Sequence, residues 1–241
     1  MRQGSTVAAL ASARGQVGRS GRGIRIDMRL AIALPAALAL MTGACGNRDG
    51  APAAAAVTPL PGEVGLPEVR PGDFWEYEVR GGEAPARWSV EVGEVHGGGR
   101  FRARTVHPDR TAGGERAQEV EYAGPWNLVQ PVPGQNLRYL EFPLHQGKRW
   151  TSTAVGPGEM TRTLVQEVQG QESLMLAGAG VDCVRVQGVE TTTTIGPPGI
   201  AVPAPITIWY CPELRAVGRV LVAVPMAPVV THTLVGHRRA G

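Results

Sequence analysis

The chain has 241 residues, of which 43% are hydrophobic, so it is long enough and apolar enough for one or two domains with a buried core. Its formal net charge is +3, but residues 1–44 carry six arginines against one aspartate, and the remaining 18 basic and 20 acidic residues give a net charge of −2 from Cys45 onward. A slightly acidic remainder lacks the basic surface that nucleic-acid binding requires, so we expect no nucleic-acid partner.

Residues 1–27 are rich in Gly, Ser and Arg and contain no apolar run, so we expect them to be disordered. A well-formed export signal follows them directly. We therefore expect this extension to be non-native, with the biological start at Met28 rather than Met1. The alternative is a genuine long amino-terminal region of the signal.

Residues 28–44 have the three parts of a secretory signal peptide. Arg29 supplies the positive charge, Leu30–Met41 is an apolar run too short to span a bilayer, and small residues precede Cys45. The ending Thr-Gly-Ala-Cys resembles the lipobox of bacterial lipoproteins, which predicts that Cys45 becomes acylated after cleavage. The alternative is an ordinary signal peptide followed by a cysteine without this role.

An acylated Cys45 would anchor the protein to a membrane without spanning it, because each buried CH₂ contributes roughly 0.8 kcal/mol and two acyl chains hold durably. Gly46 follows the cysteine, where an aspartate would signal inner-membrane retention in some enteric bacteria. We therefore expect a lipid-anchored protein of the cell envelope, on the outer membrane and facing the periplasm.

Residues 45–69 are rich in Ala, Pro and Gly, a composition typical of an extended tether. Residues 70–240 then contain many short segments enriched in Val, Thr, Tyr and Trp, separated by Gly, Pro and Asp. Segments of this kind include FWEYEV, RWSVEVGEV, RFRARTV, QEVEYA, WNLVQPV, LRYLEF, RWTSTAV, TRTLVQEV, ESLMLA, VDCVRVQGVETTTT, ITIWYC, VGRVLVAV and VVTHTLVG.

These segments alternate in part between apolar and polar positions, and none shows a sustained helical period. In RFRARTV, for example, Phe101, Ala103 and Thr105 oppose three arginines. The pattern predicts an all-β fold, an antiparallel sandwich or a curved, partly open barrel. We expect one domain, although two smaller halves divided near Pro133 are an alternative.

Cys183 and Cys211 remain as an even pair once Cys45 is acylated, which in an exported protein suggests a disulfide. Each lies in a strand-like run, and the Gly- and Pro-rich stretch between them allows a hairpin. Closing a loop of about 28 residues would stabilise the fold by about 3–4 kcal/mol. The alternative is two separate buried thiols.

Several short motifs occur in a fixed order along the chain, namely Arg70–Tyr77, Phe142–Trp150, Val168–Glu172, Ala177–Val181 and Trp209–Glu213. Together they resemble the DUF3108-like or TapB-like family of bacterial envelope proteins, over roughly residues 68–240. The resemblance implies an antiparallel β-fold with a curved sheet like those of periplasmic lipoprotein carriers, and it implies no established activity.

No catalytic signature is present, so we expect no enzymatic activity, no cofactor and no metal. The five histidines do not form a metal-binding motif, and each is expected at the surface. Glu119 and Glu121 would share a face of one strand, which is more typical of a solvated face than of a glycosidase site. The histidines are His96, His107, His145, His232 and His237.

The five tryptophans could line an apolar ligand site, but core packing is the simpler interpretation. We therefore expect a non-enzymatic binding or assembly module whose partner the sequence does not identify, with an envelope protein or a hydrophobic ligand as the candidates. A carrier of a lipid or other hydrophobic ligand is the first alternative, and a hydrolase with a hidden site is the second. A cavity of several hundred Å³ would favour the carrier.

Overall fold

The computed structural model describes residues 56–81, 85–109, 114–129, 136–156, 160–194 and 199–241. The extension at residues 1–27, the signal peptide at 28–44, the lipidation site Cys45 and the first part of the tether lie outside the described residues. Within the described residues, no helix is long and apolar enough to cross a membrane.

Eleven β-strands and two short 3₁₀ turns make up the regular structure of the described residues. The strands are β1 Phe74–Arg80, β2 Ala86–Val95, β3 Arg100–Asp109, β4 Gly114–Ala123, β5 Leu128–Val129, β6 Arg149–Gly156, β7 Met160–Leu176, β8 Ala179–Thr194, β9 Ala201–Cys211, β10 Ala216–Val222 and β11 Val230–Arg238.

All eleven strands belong to one antiparallel sheet, in the order β5-β4-β3-β2-β1-β11-β10-β9-β8-β7-β6. Most neighbours in the sheet are also neighbours in sequence, and only β11 returns across the sheet to pair with β1. The all-β prediction is confirmed. The chain does not separate near Pro133 into two sheets, because this closing pair joins both halves into one.

The alternation of side chains explains how β1–β4 form their inner face. Phe101, Ala103 and Thr105 are almost fully buried, while the arginines between them are exposed, as the sequence predicted. Val90 and Val92 of β2 face the same core. A period of two places these apolar positions on one side of the sheet.

The segments TRTLVQEV and ESLMLA, which look separate in sequence, are one 17-residue strand, β7. A bulge between Val168 and Gly170 shifts its register against β8. Gly170 has a φ of +143°, and a Cβ there would lie 2.3 Å from the carbonyl oxygen of Thr58. Glycine is required because another part of the chain crosses the strand at this point.

That crossing segment corrects the predicted extent of the tether. Residues 56–69 lie against the sheet, with antiparallel bridges between Thr58 and Gln171 and between Val64 and Leu144. Val69 is 6% exposed and belongs to the core. The Ala- and Pro-rich composition concealed a few apolar residues that pack on the domain, so the folded part begins before Arg70.

The segment LRYLEF, residues 137–142, looks like a strand in the sequence but forms an irregular loop. The buried side chain of Asn127 holds this loop: its Oδ1 accepts hydrogen bonds from the backbone N–H groups of Tyr139 and Leu140, and its Nδ2 donates to the carbonyl of Leu140. A side chain thus satisfies backbone groups that a strand partner would otherwise satisfy.

Two clusters of buried side chains form the core. The first joins the inner face of β1–β4 to the C-terminal ends of β7 and β9 and the N-terminal end of β8. The second lies over β6–β10 and includes Leu137 and Leu140 of the irregular loop and Leu144, which follows it. Trp126 packs against both clusters. The loop therefore fills the apolar side of the sheet.

Candidate functional site

A ladder of rings crosses the first three strands and is the densest group of aromatic side chains in the described residues. Tyr77 stacks on Trp88 with ring centroids 4.6 Å apart, and Trp88 stacks on His107 at 5.2 Å. The pairing of β1 with β2 sets Tyr77 opposite Trp88, so sheet register alone brings these rings together. We call the set Tyr77, Trp88, Trp126, His107 and His232 the ring cluster.

Trp126 closes the ring cluster from the loop that follows β4. Its ring meets Tyr77, Trp88 and His232 edge to face, with centroids 5.2, 5.3 and 5.7 Å away. Its backbone has a φ of +67°, an unusual conformation for a large residue. The turn thus directs the indole back onto the sheet.

The space between these rings is nearly full. The cavity that Trp75, Tyr77, Trp88, Phe101 and Trp126 line with their neighbours has a volume of about 20 Å³. That volume holds about one water molecule, whereas pockets for small ligands measure roughly 300–1,000 Å³. Three larger spaces among the described residues, of about 430, 490 and 480 Å³, lie elsewhere and have polar as well as apolar linings.

All five histidines were expected at the surface, but two of them are not. His107 and His232 are half-buried on either side of Trp88, while His96, His145 and His237 are exposed. The indole Nε1–H of Trp88 donates to Nδ1 of His232 over 3.2 Å, which requires that nitrogen to be unprotonated. Burial lowers the pKa of His107, and burial followed by the charge of His107 lowers the pKa of His232.

The hydroxyl groups near this cluster are held in their neutral form. Burial, followed by the nearby Tyr122, raises the pKa of Tyr77 far above its usual value. Burial raises the pKa of Tyr122, and its hydroxyl lies 3.3 Å from that of Thr105. The ring cluster is therefore uncharged near neutral pH, and no group of three metal-ligating side chains occurs among the described residues.

Cys183 and Cys211 form a disulfide, as predicted, with the two Cα atoms 4.0 Å apart. β8 and β9 pair antiparallel up to Val184 and Tyr210, so the two cysteines face each other just beyond the last of these pairs. Both are fully buried. The disulfide therefore links β8 and β9 at the end of their hairpin opposite the Gly- and Pro-rich loop.

The carboxylates of β4 lie on a solvated face, as the alternation predicted. Glu121 is paired in register with Arg102 and its Oε1 lies 2.6 Å from Nη2 of Arg100, while Glu119 is exposed opposite Arg104. Each carboxylate therefore has a cationic neighbour from β3 rather than a facing carboxylate across a cleft.

Three of the five tryptophans are buried in the core, and Trp88 and Trp126 are half-buried against it. Trp75, Trp150 and Trp209 are 6%, 6% and 7% exposed. Trp209 lies between the guanidinium groups of Arg185 and Arg219, each 5.9 Å from its ring, and its Nε1–H donates to Glu172. The register of β8, β9 and β10 explains this stack, but the positions are too distant in sequence to reveal it.

A second polar group holds the irregular loop to the sheet. The hydroxyl of Tyr139 donates to Glu190 over 3.0 Å, and Arg162 donates to both Tyr139 and Glu190. Burial, followed by the charge of Glu190, raises the pKa of Tyr139 to about 12. Together with Asn127, this network keeps the loop over the apolar side of the sheet.

Comparison with protein-family models finds no match, and comparison with the curated proteins finds none either. The resemblance to DUF3108-like or TapB-like proteins is therefore not confirmed.

Among solved structures, the chain is similar to a presumed exported protein with a YmcC-like fold from Bacteroides fragilis, at 9% identity, 73% of this chain, 100% of that chain and a TM-score of 0.45. It is also similar to a presumed lipoprotein from Parabacteroides distasonis, at 12% identity, over 73% of this chain and 99% of that chain, with a TM-score of 0.47. A further similar structure is the hypothetical lipoprotein YmcC from Escherichia coli, at 16% identity, over 72% of this chain and 90% of that chain, with a TM-score of 0.40. Likenesses this distant lead to no conclusion about function.

Proposed function

We propose that this chain is an envelope lipoprotein, anchored through Cys45 to the outer membrane and facing the periplasm. Its β-rich domain is a non-enzymatic module that binds or assembles with another protein. The export signal and the lipobox-like ending support the address. The disulfide between Cys183 and Cys211 supports an oxidising compartment, because such bonds persist in exported proteins.

The observation that carries the binding role is the filled interior of the sheet. A carrier needs an apolar cavity of several hundred Å³, and the enclosed space among the aromatic rings is about 20 Å³. Leu137, Leu140 and Leu144 occupy the apolar side of the sheet where a hydrophobic ligand would otherwise lie. A protein with a filled interior meets its partners through its surface.

Native mass spectrometry of the protein purified from its own host tests this role. After the mass of the covalent anchor is accounted for, we expect no additional bound lipid or other small molecule. A stoichiometric hydrophobic ligand that survives purification would contradict the proposal and favour the carrier.

The anchor is tested separately with Cys45→Ser in the full chain. We expect the wild-type protein to incorporate labelled palmitate and to sediment with membranes, and the variant to lose both properties. Incorporation of label into Cys45→Ser, or membrane retention unchanged by it, would contradict lipidation at this cysteine. A variant that is exported but soluble keeps the binding role open to the first test.

A further inference from the structure

On the outward face at the β6 end of the sheet, three neighbouring cross-strand rows consist of uncharged residues, and the ion pair of Arg149 and Glu167 borders them. Three residues from each of four neighbouring strands are in cross-strand register there, and all are exposed or half-buried. We call this set the neutral face. Its members are Thr151, Thr153 and Val155 of β6, Thr161, Thr163 and Val165 of β7, Val189, Thr191 and Thr193 of β8, and Ala201, Pro203 and Pro205 of β9.

Three valines of the neutral face are exposed to solvent. Val155, Val165 and Val189 are 50%, 51% and 39% exposed, and the last two lie side by side in register. Contiguous exposed apolar side chains between uncharged hydroxyls are typical of a contact surface.

β6 forms the border of this face and ends the sheet. It pairs with β7 along eight residues, and no other described strand pairs with its outer edge. Arg149 is its single charged residue, and its Nη2 lies 2.9 Å from Oε2 of Glu167. Natural edge strands usually carry charges, prolines or bulges that prevent pairing with another chain, and residues 150–156 carry none of these.

The opposite end of the sheet is protected in both of the usual ways. Its last strand, β5, has two residues, and it covers only Glu121 and Tyr122 of β4. The remainder of β4 carries charged side chains at Glu115, Arg116 and Glu119. Among the described residues, one edge is therefore blunted and the other is open.

We propose that β6 pairs antiparallel with β6 of a second copy of this chain, so that the two sheets become continuous. This inference rests on the proposed assembly role, for which it names the partner, but it does not need the lipid anchor. Antiparallel strand pairing about a twofold axis is self-complementary in its N–H and C=O groups. The side chains of β6 that this pairing sets opposite their copies, those of residues 151–155, are uncharged, so like-charge repulsion is absent there.

Pairing along the length of β6 joins two copies and allows two registers. The described sheet has one open edge, so the pair closes and does not grow into a filament. Side chains that share the outward face must lie opposite one another. Pairing centred on β6 then sets Thr153 opposite its own copy, or Thr151 of one chain opposite Thr153 of the other.

Cysteine cross-linking of the membrane-anchored full chain tests the pairing. Thr151→Cys with Thr153→Cys covers both registers, and we expect most of the protein to run as a disulfide-linked dimer after mild oxidation. The matched control is Ala117→Cys with Glu119→Cys, two exposed positions with the same spacing on β4 at the other edge, for which we expect monomer. Equal dimer formation by both pairs would overturn the proposal.

A charge substitution gives the complementary test in detergent solution. We expect the wild-type chain to sediment with the protein mass of two copies, and Thr151→Lys with Thr153→Lys to halve that mass without lowering the unfolding temperature. A wild-type chain that is monomeric at every concentration tested would overturn the inference, as would cross-links to a different protein. Either result would leave an assembly role intact, whereas a co-purifying lipid would contradict that role itself.

Discussion

The solvent-facing side of the sheet is built differently at its two ends. Across β2, β3 and β4, Glu91, Arg104 and Glu119 form one row of alternating charge, and a second row of Glu94, Arg102 and Glu121 runs beside it. The neutral face replaces such rows with threonine, valine and proline. Exposed ion pairs add little stability, so the charged rows serve to keep that end solvated and separate from other strands. The neutral face lacks this protection, which identifies it as the end that makes contact.

The largest effect is expected from the disulfide that links β8 and β9, two of the strands that carry the neutral face. Replacing both cysteines, in Cys183→Ala with Cys211→Ala, should lower the free energy of unfolding by about 3–4 kcal/mol, because the unfolded chain regains a loop of about 28 residues. Urea unfolding of the variant measures the loss, and wild-type protein with reductant is the control. Unchanged unfolding midpoints in both would show that the bond does not stabilise this hairpin.

A smaller loss of stability is expected from a change at the irregular loop, which lies in sequence between the charged strands β2–β4 and the strands of the neutral face. Asn127→Ala removes the acceptor for Tyr139 and Leu140 and leaves buried backbone groups without partners, so we expect a loss of about 2–3 kcal/mol. If the loop is displaced, an environment-sensitive hydrophobic dye should bind to the uncovered apolar side of the sheet. Stability within error of wild type would contradict the role of this side chain as the clamp of the loop.

A pH effect should be confined to the charged end, where His107 and His232 flank Trp88. Because their pKa values are lower in the folded state than the ordinary value, the unfolded chain binds protons more readily, and stability should fall as the pH drops through about 6.5. We expect His232→Gln to remove part of this dependence between about pH 7.5 and about pH 5. The exposed His237 offers the control His237→Gln, and an equal effect of both would refute this assignment.

The smallest effect is expected from the charged rows themselves. Arg102→Gln removes the contact with Glu94, which is 3.3 Å long and exposed on both sides, so its cost should be no more than about 0.5 kcal/mol. Thermal unfolding at low and high salt measures it. A cost of several kcal/mol would mean that the charged rows serve to stabilise their end of the sheet and not to keep it separate from other strands.

The strand content could be predicted from the sequence because it depends on local alternation. Phe101 and Ala103 are buried and the arginines between them are exposed, as a period of two requires. The disulfide followed from cysteine count and from the hairpin signal. The predictions for the stretch before Arg70 and for the segment LRYLEF were wrong in detail, because packing against distant parts of the chain decides the conformation of both.

Cross-strand register was beyond the sequence. The two halves of the ring cluster, Trp88 and His232, are 144 positions apart, and the closing pair of β1 with β11 brings them together. The neutral face depends on register in the same way, since its rows combine residues from four strands. The repeated T-x-T in β6, β7 and β8 was visible in the sequence, and shared register is what makes it a surface.

Hydrogen–deuterium exchange on the full chain in detergent tests the difference between the two ends most directly, through the peptides that cover β6 and β4. At high protein concentration, we predict that the β6 amides directed away from β7 are protected and that this protection is lost on dilution or in Thr151→Lys with Thr153→Lys. The outer amides of residues 114–120 of β4, which β5 does not cover, should exchange rapidly at all concentrations. Rapid, concentration-independent exchange of the outer amides of both strands would contradict the account.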